Sequence, residues 1–201
     1  MVEIRAMEPK DTLQAAAIHI EGQPHTFLSS LGPEFVAKLF AYTVRSPYGF
    51  GFVAVEGEEV VGFVVGTESN ARLFPDVLRR RFVPLAFALL RQVLRHPSIL
   101  PKLIETLRYP SVVQEQAGEA ESLSRGVRRD WQGKGIGSLL WAAVTSEARR
   151  RGATYIITTV DEAHGVINAW HRARHHELVR TFSLYGRTMN VYRIALNANV
   201  L

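Results

Sequence analysis

Apolar and polar positions along this chain follow two different periods, and the switches between them mark out its elements. Val2–Ala6 alternates with period two, as a short strand does, before Glu8-Pro9-Lys10-Asp11 turns the chain. Asp11 is placed to cap a helix over Thr12–Glu21. Gly32-Pro33 opens a second helix, Glu34–Arg45, with Phe35, Leu39 and Tyr42 on one stripe. Phe52–Val55 and Val60–Val65 are β-rich runs joined by Glu56-Gly57-Glu58-Glu59, which predicts a hairpin over Gly51–Thr67. From Leu73 to Leu107 the apolar spacing is helical, but Pro84, Pro97 and Pro101 interrupt it, so two or three short helices are expected.

Gly118 resets the chain into a strand, Glu121–Val127. A glycine-rich turn follows, then a helix from Gly137 to Arg151 with Gly152 as its C-terminal cap, then a strand Thr154–Val160. A last helix, Val166–Arg174, precedes strands near Leu178–Phe182 and Arg187–Ala195. Strand, turn, helix and strand in that order make a crossover between two parallel strands. The class is α/β with a mixed sheet in one domain, 1–201, carrying a helical insertion at about 70–117 between the third and fourth strands.

Composition narrows the chemistry. With 47% apolar residues the chain can bury one large core. It has no cysteine, which removes disulfides, thiolate catalysis and Cys-based zinc sites and suits a reducing, cytoplasmic setting. Met1–Arg5 lacks the basic-then-apolar order of a signal peptide, and the apolar stretch Phe82–Leu90 is too short to span a bilayer. Residues 70–117 hold eight Lys and Arg against three acids, so this segment alone accounts for the net charge of +5. The excess is local, no reader motif accompanies it, and nucleic acid is not an expected partner.

The chemistry lies in the turn Gln132-Gly133-Lys134-Gly135-Ile136-Gly137-Ser138. Glycines let backbone approach an anion, and the first N–H groups of the following helix have no intrahelical partners. Arg128, Arg129 and Lys134 add positive charge, so a phosphate-bearing cofactor is the expected occupant. A P-loop needs Gly where Arg128 stands and Ser or Thr where Gly135 stands. A dinucleotide fingerprint needs Gly at Ser138.

Gln-x-x-Gly-x-Gly from Gln132 to Gly137 resembles the pyrophosphate-binding loop of the GNAT superfamily of N-acetyltransferases. Ala120–Val127 looks like that superfamily's fourth strand, and Ala148–Gly152 is similar to the end of its third helix. The resemblance covers Glu121–Ala195 well and Val2–Thr67 in outline. It implies that acetyl-CoA is the cosubstrate, with no metal, and that Val127, Arg128, Arg129, Gln132–Ser138 and Asn168 bind it. It also implies that pantetheine runs along Val127–Arg129 and that a backbone N–H near Val127 polarises the thioester carbonyl.

Acetyl transfer to an amine needs a base, a polarised carbonyl and a proton for the thiolate. Glu121 matches a position that supplies a general base in the superfamily, and period two places Glu121, Leu123, Arg125 and Val127 on one face. A solvated strand-edge carboxylate is the alternative for Glu121. The family's acid is a Tyr in a phrase like Asn-Arg-Phe-Tyr ahead of Gly-Phe. Here the phrase is Asn168-Ala169-Trp170-His171, and His175-His176 stands for Gly-Phe. His171 is thus the candidate acid, with Tyr185 and Tyr192 in reserve. His164, His171, His175 and His176 match no zinc signature, and the i, i+4 pair His171 and His175 reads better as two surface histidines.

The expected function is transfer of acetyl from acetyl-CoA to a primary amine of a small molecule, such as an amino sugar or its nucleotide. A protein or peptide N-acetyltransferase and a non-catalytic acyl-CoA-binding module are the alternatives. For the basic insertion three uses stay open: an embellishment or homodimer contact, a lid favouring an anionic acceptor, and a peripheral surface for anionic lipid.

Overall fold

A computed structural model of the chain describes residues 2–107, 116 and 118–196. Seven strands form one sheet: β1 (Glu3–Ala6), β2 (Gly49–Glu56), β3 (Glu59–Thr67), β4 (Glu119–Val127), β5 (Tyr155–Asp161), β6 (Glu177–Leu184) and β7 (Arg187–Ala195). Their order is β1-β2-β3-β4-β5-β7-β6. β4 and β5 pair in parallel and every other neighbour pair is antiparallel, which is the mixed sheet expected.

Helices cover both faces. α1 (Thr12–Gly22), α2 (Phe27–Ser30), α3 (Pro33–Arg45), α4 (Asn70–Arg95) and α5 (Leu100–Leu107) precede β4, while α6 (Ile136–Arg150) and α7 (Gly165–Ala173) flank β5. Alternation along β3, shifted by a bulge at Val61 where it pairs with β2, divides the core between the faces. Val61 and Val64 pack under Leu140, Val144 and Ala148 of α6. Phe63 and Val65 pack under Ala15, Ile18, Val36 and Phe40 of α1 and α3. Apolar burial on both faces makes β2 and β3 nearly continuous hydrophobic runs.

Two local expectations change. Asp11 does not cap α1: it accepts from the backbone N–H of Glu8 at 2.8 Å and from both guanidinium arms of Arg5, closing a 3-10 turn over Pro9–Asp11. Pro84 does not break the insertion, because α4 is continuous for 26 residues. Proline removes one i→i−4 bond, but Leu73, Val77, Leu85, Leu89 and Val93 keep one buried stripe on both sides of it. Residues 108–115 and 117 of the expected insertion lie outside the described residues.

Candidate active site

The parallel ladder between β4 and β5 runs from Glu119 opposite Tyr155 to Ser122 opposite Thr158 and ends there. β4 continues to Val127 and β5 to Asp161, so the strands part and leave a wedge at their C-terminal ends. Ser122 stands at the apex, with its buried Oγ unpartnered among the described residues.

A bulge shapes the β4 side of the wedge. Val65 pairs with Ser124 and Gly66 with Ser122, which leaves Leu123 as the extra residue. Leu123 and Ser124 therefore point the same way, toward α1 and α3. Leu123 packs with that core, and Ser124 Oγ lies 2.9 Å from Nδ1 of His19 on α1. Beyond the bulge the alternation is inverted. Glu121 faces α4, where Asn70 Nδ2 donates to its Oε2. Arg125 and Val127 face α6 and α7. The expectation that Glu121 and Val127 share a face is corrected: one inserted residue moves everything after it to the other side.

The glycine turn takes the expected form. After a 3-10 turn over Arg129–Trp131, Gln132 donates its Nε2 to the Val127 carbonyl at 3.0 Å and ties the loop to the strand end. Gly133 and Gly135 have φ of 76° and 81°, and Gly135 is the N-cap of α6. An added Cβ at either would meet nothing within 4 Å, so the left-handed backbone, not crowding, demands glycine. Ser138 N–H and Leu139 N–H both reach the Gly135 carbonyl. The N–H groups of Ile136 and Gly137 head the helix ahead of them, at the positive end of its dipole.

The three cations differ. Arg128 is held by Asp130 at 2.8 Å and Glu59 at 3.0 Å; those hydrogen bonds raise its pKa further and lower that of Asp130. Arg129 is exposed, and Lys134 Nζ sits 4.2 Å from the Trp131 ring. Lys134 and Arg129 are therefore the cations open to a phosphate, while Arg128 is occupied by the protein's own acids. The glycine backbone, the helix start and these two cations fit a pyrophosphate.

On the α6 and α7 side of the wedge lies a group that composition and motif did not single out. Arg125 stacks on Trp141 of α6 at 4.8 Å and Trp170 of α7 at 5.2 Å, and burial brings its pKa down to about 10. It donates to Nε2 of His171 at 3.3 Å. His171 is fully buried, stacked on Tyr192 with centroids 4.4 Å apart, and its Nδ1 is 2.9 Å from Nδ1 of His176. Burial first, then the charge of Arg125, pushes His171 down to about 3. Both expectations for His171 change: the ring is interior instead of at the surface, and burial disfavours the charged form that an acid for the thiolate would use. The signal for Arg125 was the one basic residue of its strand, with two tryptophans in the flanking helices.

Asn168 is also redirected. Its Nδ2 donates to the carbonyls of Asp161, Glu162 and His164, and its Oδ1 accepts from Tyr192 Oη at 2.9 Å and Asn190 Nδ2 at 3.1 Å. Expected as a cofactor ligand, it instead spends its amide anchoring α7 to β5 and β7. Tyr185, at the β6–β7 turn, packs against Phe27 of α2 at 5.0 Å. Among the described residues no group of three or more His, Asp or Glu side chains converges to hold a metal.

Residues 101–175 match the acetyltransferase (GNAT) family. No curated protein matches the sequence. Solved structures share the fold across almost the whole chain at low identity. An N-acetyltransferase from Staphylococcus aureus Mu50 is 15% identical, with 98% of this chain and 99% of that one covered and a TM-score of 0.63. The ribosomal-protein-S18-alanine N-acetyltransferase of Escherichia coli is 11% identical over 100% and 99%, with a TM-score of 0.62. The yncA protein of Salmonella typhimurium, solved with its cofactor acetyl-CoA, is 14% identical over 100% and 96%, also at 0.62. The family match spans β4, the glycine turn, α6, β5 and α7, the same elements that build the wedge, and the solved structures share the fold around them.

Proposed function

We propose that the chain is an acetyltransferase of the GNAT family and acts on the primary amine of a small, anionic acceptor, with an amino sugar or its nucleotide as the class that fits best. The observation that carries the reading is the parting of β4 and β5 beside a helix start capped by left-handed Gly135. Acetyl-CoA supplies the thioester carbon that the amine attacks. Gln132–Ser138, with Lys134 and Arg129, hold the pyrophosphate, and Val127–Arg129 offer backbone to pantetheine.

Glu121 is the proposed base. It lies on the α4 face of β4, opposite Ile157 at the closed end of the wedge, and takes the amine proton through water. Asn70 fixes the carboxylate from the first residue of the insertion helix, which makes that helix a wall of the acceptor side. A wall whose segment carries the chain's whole positive excess favours an acceptor with phosphate or carboxylate. His171 serves as a positioning group: neutral, it accepts from Arg125 and keeps the guanidinium in the wedge.

A peptide α-amine is the second reading. It is favoured by the shared fold of the Escherichia coli ribosomal-protein-S18-alanine enzyme. One screen separates them: release of free CoA from acetyl-CoA, with amino sugars, nucleotide-linked amino sugars, polyamines, amino acids and short peptides as acceptors. Turnover confined to peptides overturns the small-molecule assignment. CoA binding without turnover on any acceptor leaves a binding module.

A further inference from the structure

We propose that the outer face of α4 and the start of α5 docks onto an anionic phospholipid surface. α4 is apolar on two opposite sides. Its inner stripe, Leu73, Val77, Leu85, Leu89 and Val93, packs against the α2 and α3 region. Its outer side carries Phe87, Leu90 and Leu94, spaced three and four residues apart and 69%, 56% and 74% exposed. Leu100, 46% exposed, follows at the start of α5. A helix with apolar residues on both sides has a second surface to satisfy, and among the described residues nothing covers the outer one.

The charged residues beside this stripe on α4 itself are basic. Arg91 and Arg95 sit beside it on the same helix and both are exposed. Arg91 approaches Glu34 at 3.8 Å, with both side chains more than half exposed. Two acids of the segment point inward instead. Asp76 accepts from Ser46 Oγ at 2.7 Å, and Glu105 accepts from the Tyr185 backbone N–H at 2.7 Å. These two acids are used inside the fold, whereas Arg91 and Arg95, at the far end of α4 from Asn70, are exposed beside the apolar stripe.

An apolar stripe bordered by arginines is the pattern of a helix lying in the plane of a membrane interface. No helix among the described residues is long and apolar enough to cross a bilayer. A second copy of this face would bring like charges together, whereas acidic headgroups complement them and the acyl region takes Phe87, Leu90 and Leu94. Docking needs no turnover, so it stands or falls separately from the choice of acceptor.

The test is sedimentation of the full chain with phosphatidylcholine vesicles, with and without phosphatidylglycerol. The expected result is partition onto the acidic vesicles, weakened by salt. Phe87→Glu with Leu94→Glu should cost at least about tenfold, since both lost apolar burial and added acid oppose docking. Arg91→Gln and Arg95→Gln should each cost roughly fivefold. All four positions are exposed, and unchanged thermal melting and CoA binding verify each variant's fold. Equal partition onto both vesicle types, no partition onto either, or full binding by the Phe87→Glu/Leu94→Glu protein overturns the proposal. So does a concentration-dependent dimer that Leu94→Glu dissociates while vesicles go unbound, which would assign the stripe to a second copy.

Discussion

The guanidinium of Arg125 donates to Nε2 of His171 across 3.3 Å, so the imidazole carries its proton on Nδ1 and gives it to Nδ1 of His176 at 2.9 Å. The contact joins β4 to α7 at the point where the sheet opens. It also determines the charge of the ring, because a buried imidazole beside a guanidinium is held neutral. The histidine that stands where the family has a tyrosine is therefore a hydrogen-bonding partner of Arg125.

Two buried histidines should make the fold sensitive to acid. His171 is pushed from 6.5 to about 3 and His19 from 6.5 to about 4, both chiefly by burial. A depressed folded pKa means that the unfolded chain binds more protons in between. The stabilisation is thus complete above about 6.5 and is lost as pH falls toward the folded values. Denaturant titrations through that window should show stability falling with pH, and His171→Gln should flatten the dependence. In NMR the His171 ring should not titrate near 6.5; a midpoint there would show that the ring is not interior.

Gly135→Val should abolish the thermal stabilisation by CoA. Its φ of 81° costs a β-branched residue roughly 1–2 kcal/mol or more, and relaxation would turn the helix start away from the pyrophosphate. Gly137 lacks a positive φ, and a Cβ there would meet only Val127 at 3.9 Å. Gly137→Ala should therefore fold normally and weaken CoA only by crowding it. Equal losses in both variants would point to crowding as the common cause.

Glu121→Gln should leave CoA binding intact and lower kcat by roughly two to four orders of magnitude. A loss below about threefold would make the carboxylate a tether for Asn70. Asn70→Ala distinguishes the roles further: a tether alone predicts lost stability, while a positioned base predicts lower kcat in protein that is still folded.

Asn168→Ala removes five hydrogen bonds at a site 2% exposed. It should cost on the order of 2–4 kcal/mol in stability with little direct effect on CoA affinity. Selective loss of CoA binding at unchanged melting temperature would restore it as a cofactor ligand.

His175 ends α7 with φ of 53°, and the following N–H reaches back to the His171 carbonyl at 3.1 Å. That is a left-handed helix end where glycine is favoured, so His175→Gly should raise stability by about 1 kcal/mol in chemical denaturation. A loss of stability would show that the His175 side chain makes a contact worth more than the backbone strain.

The sequence by itself determined the glycine turn and the helix it opens. Gln132–Ser138, the helix after it and Gly152 are local devices, in which a residue's own φ preference and the 3.6 period decide the geometry, and all three appear as expected. The same held for the β2–β3 hairpin and the parallel crossover. Only the tertiary structure decided what the site residues face and what charge they carry. Leu123 bulges because of its pairing with β3, and that one residue separates Glu121 from Val127. Pro84 stays helical because a buried stripe continues on both sides of it. His171 is neutral because Arg125, Trp141 and Trp170, brought from three elements, bury it and place a cation at its edge. Backbone turns are set by neighbours in sequence, whereas burial and charge are set by neighbours in space, which no local pattern encodes.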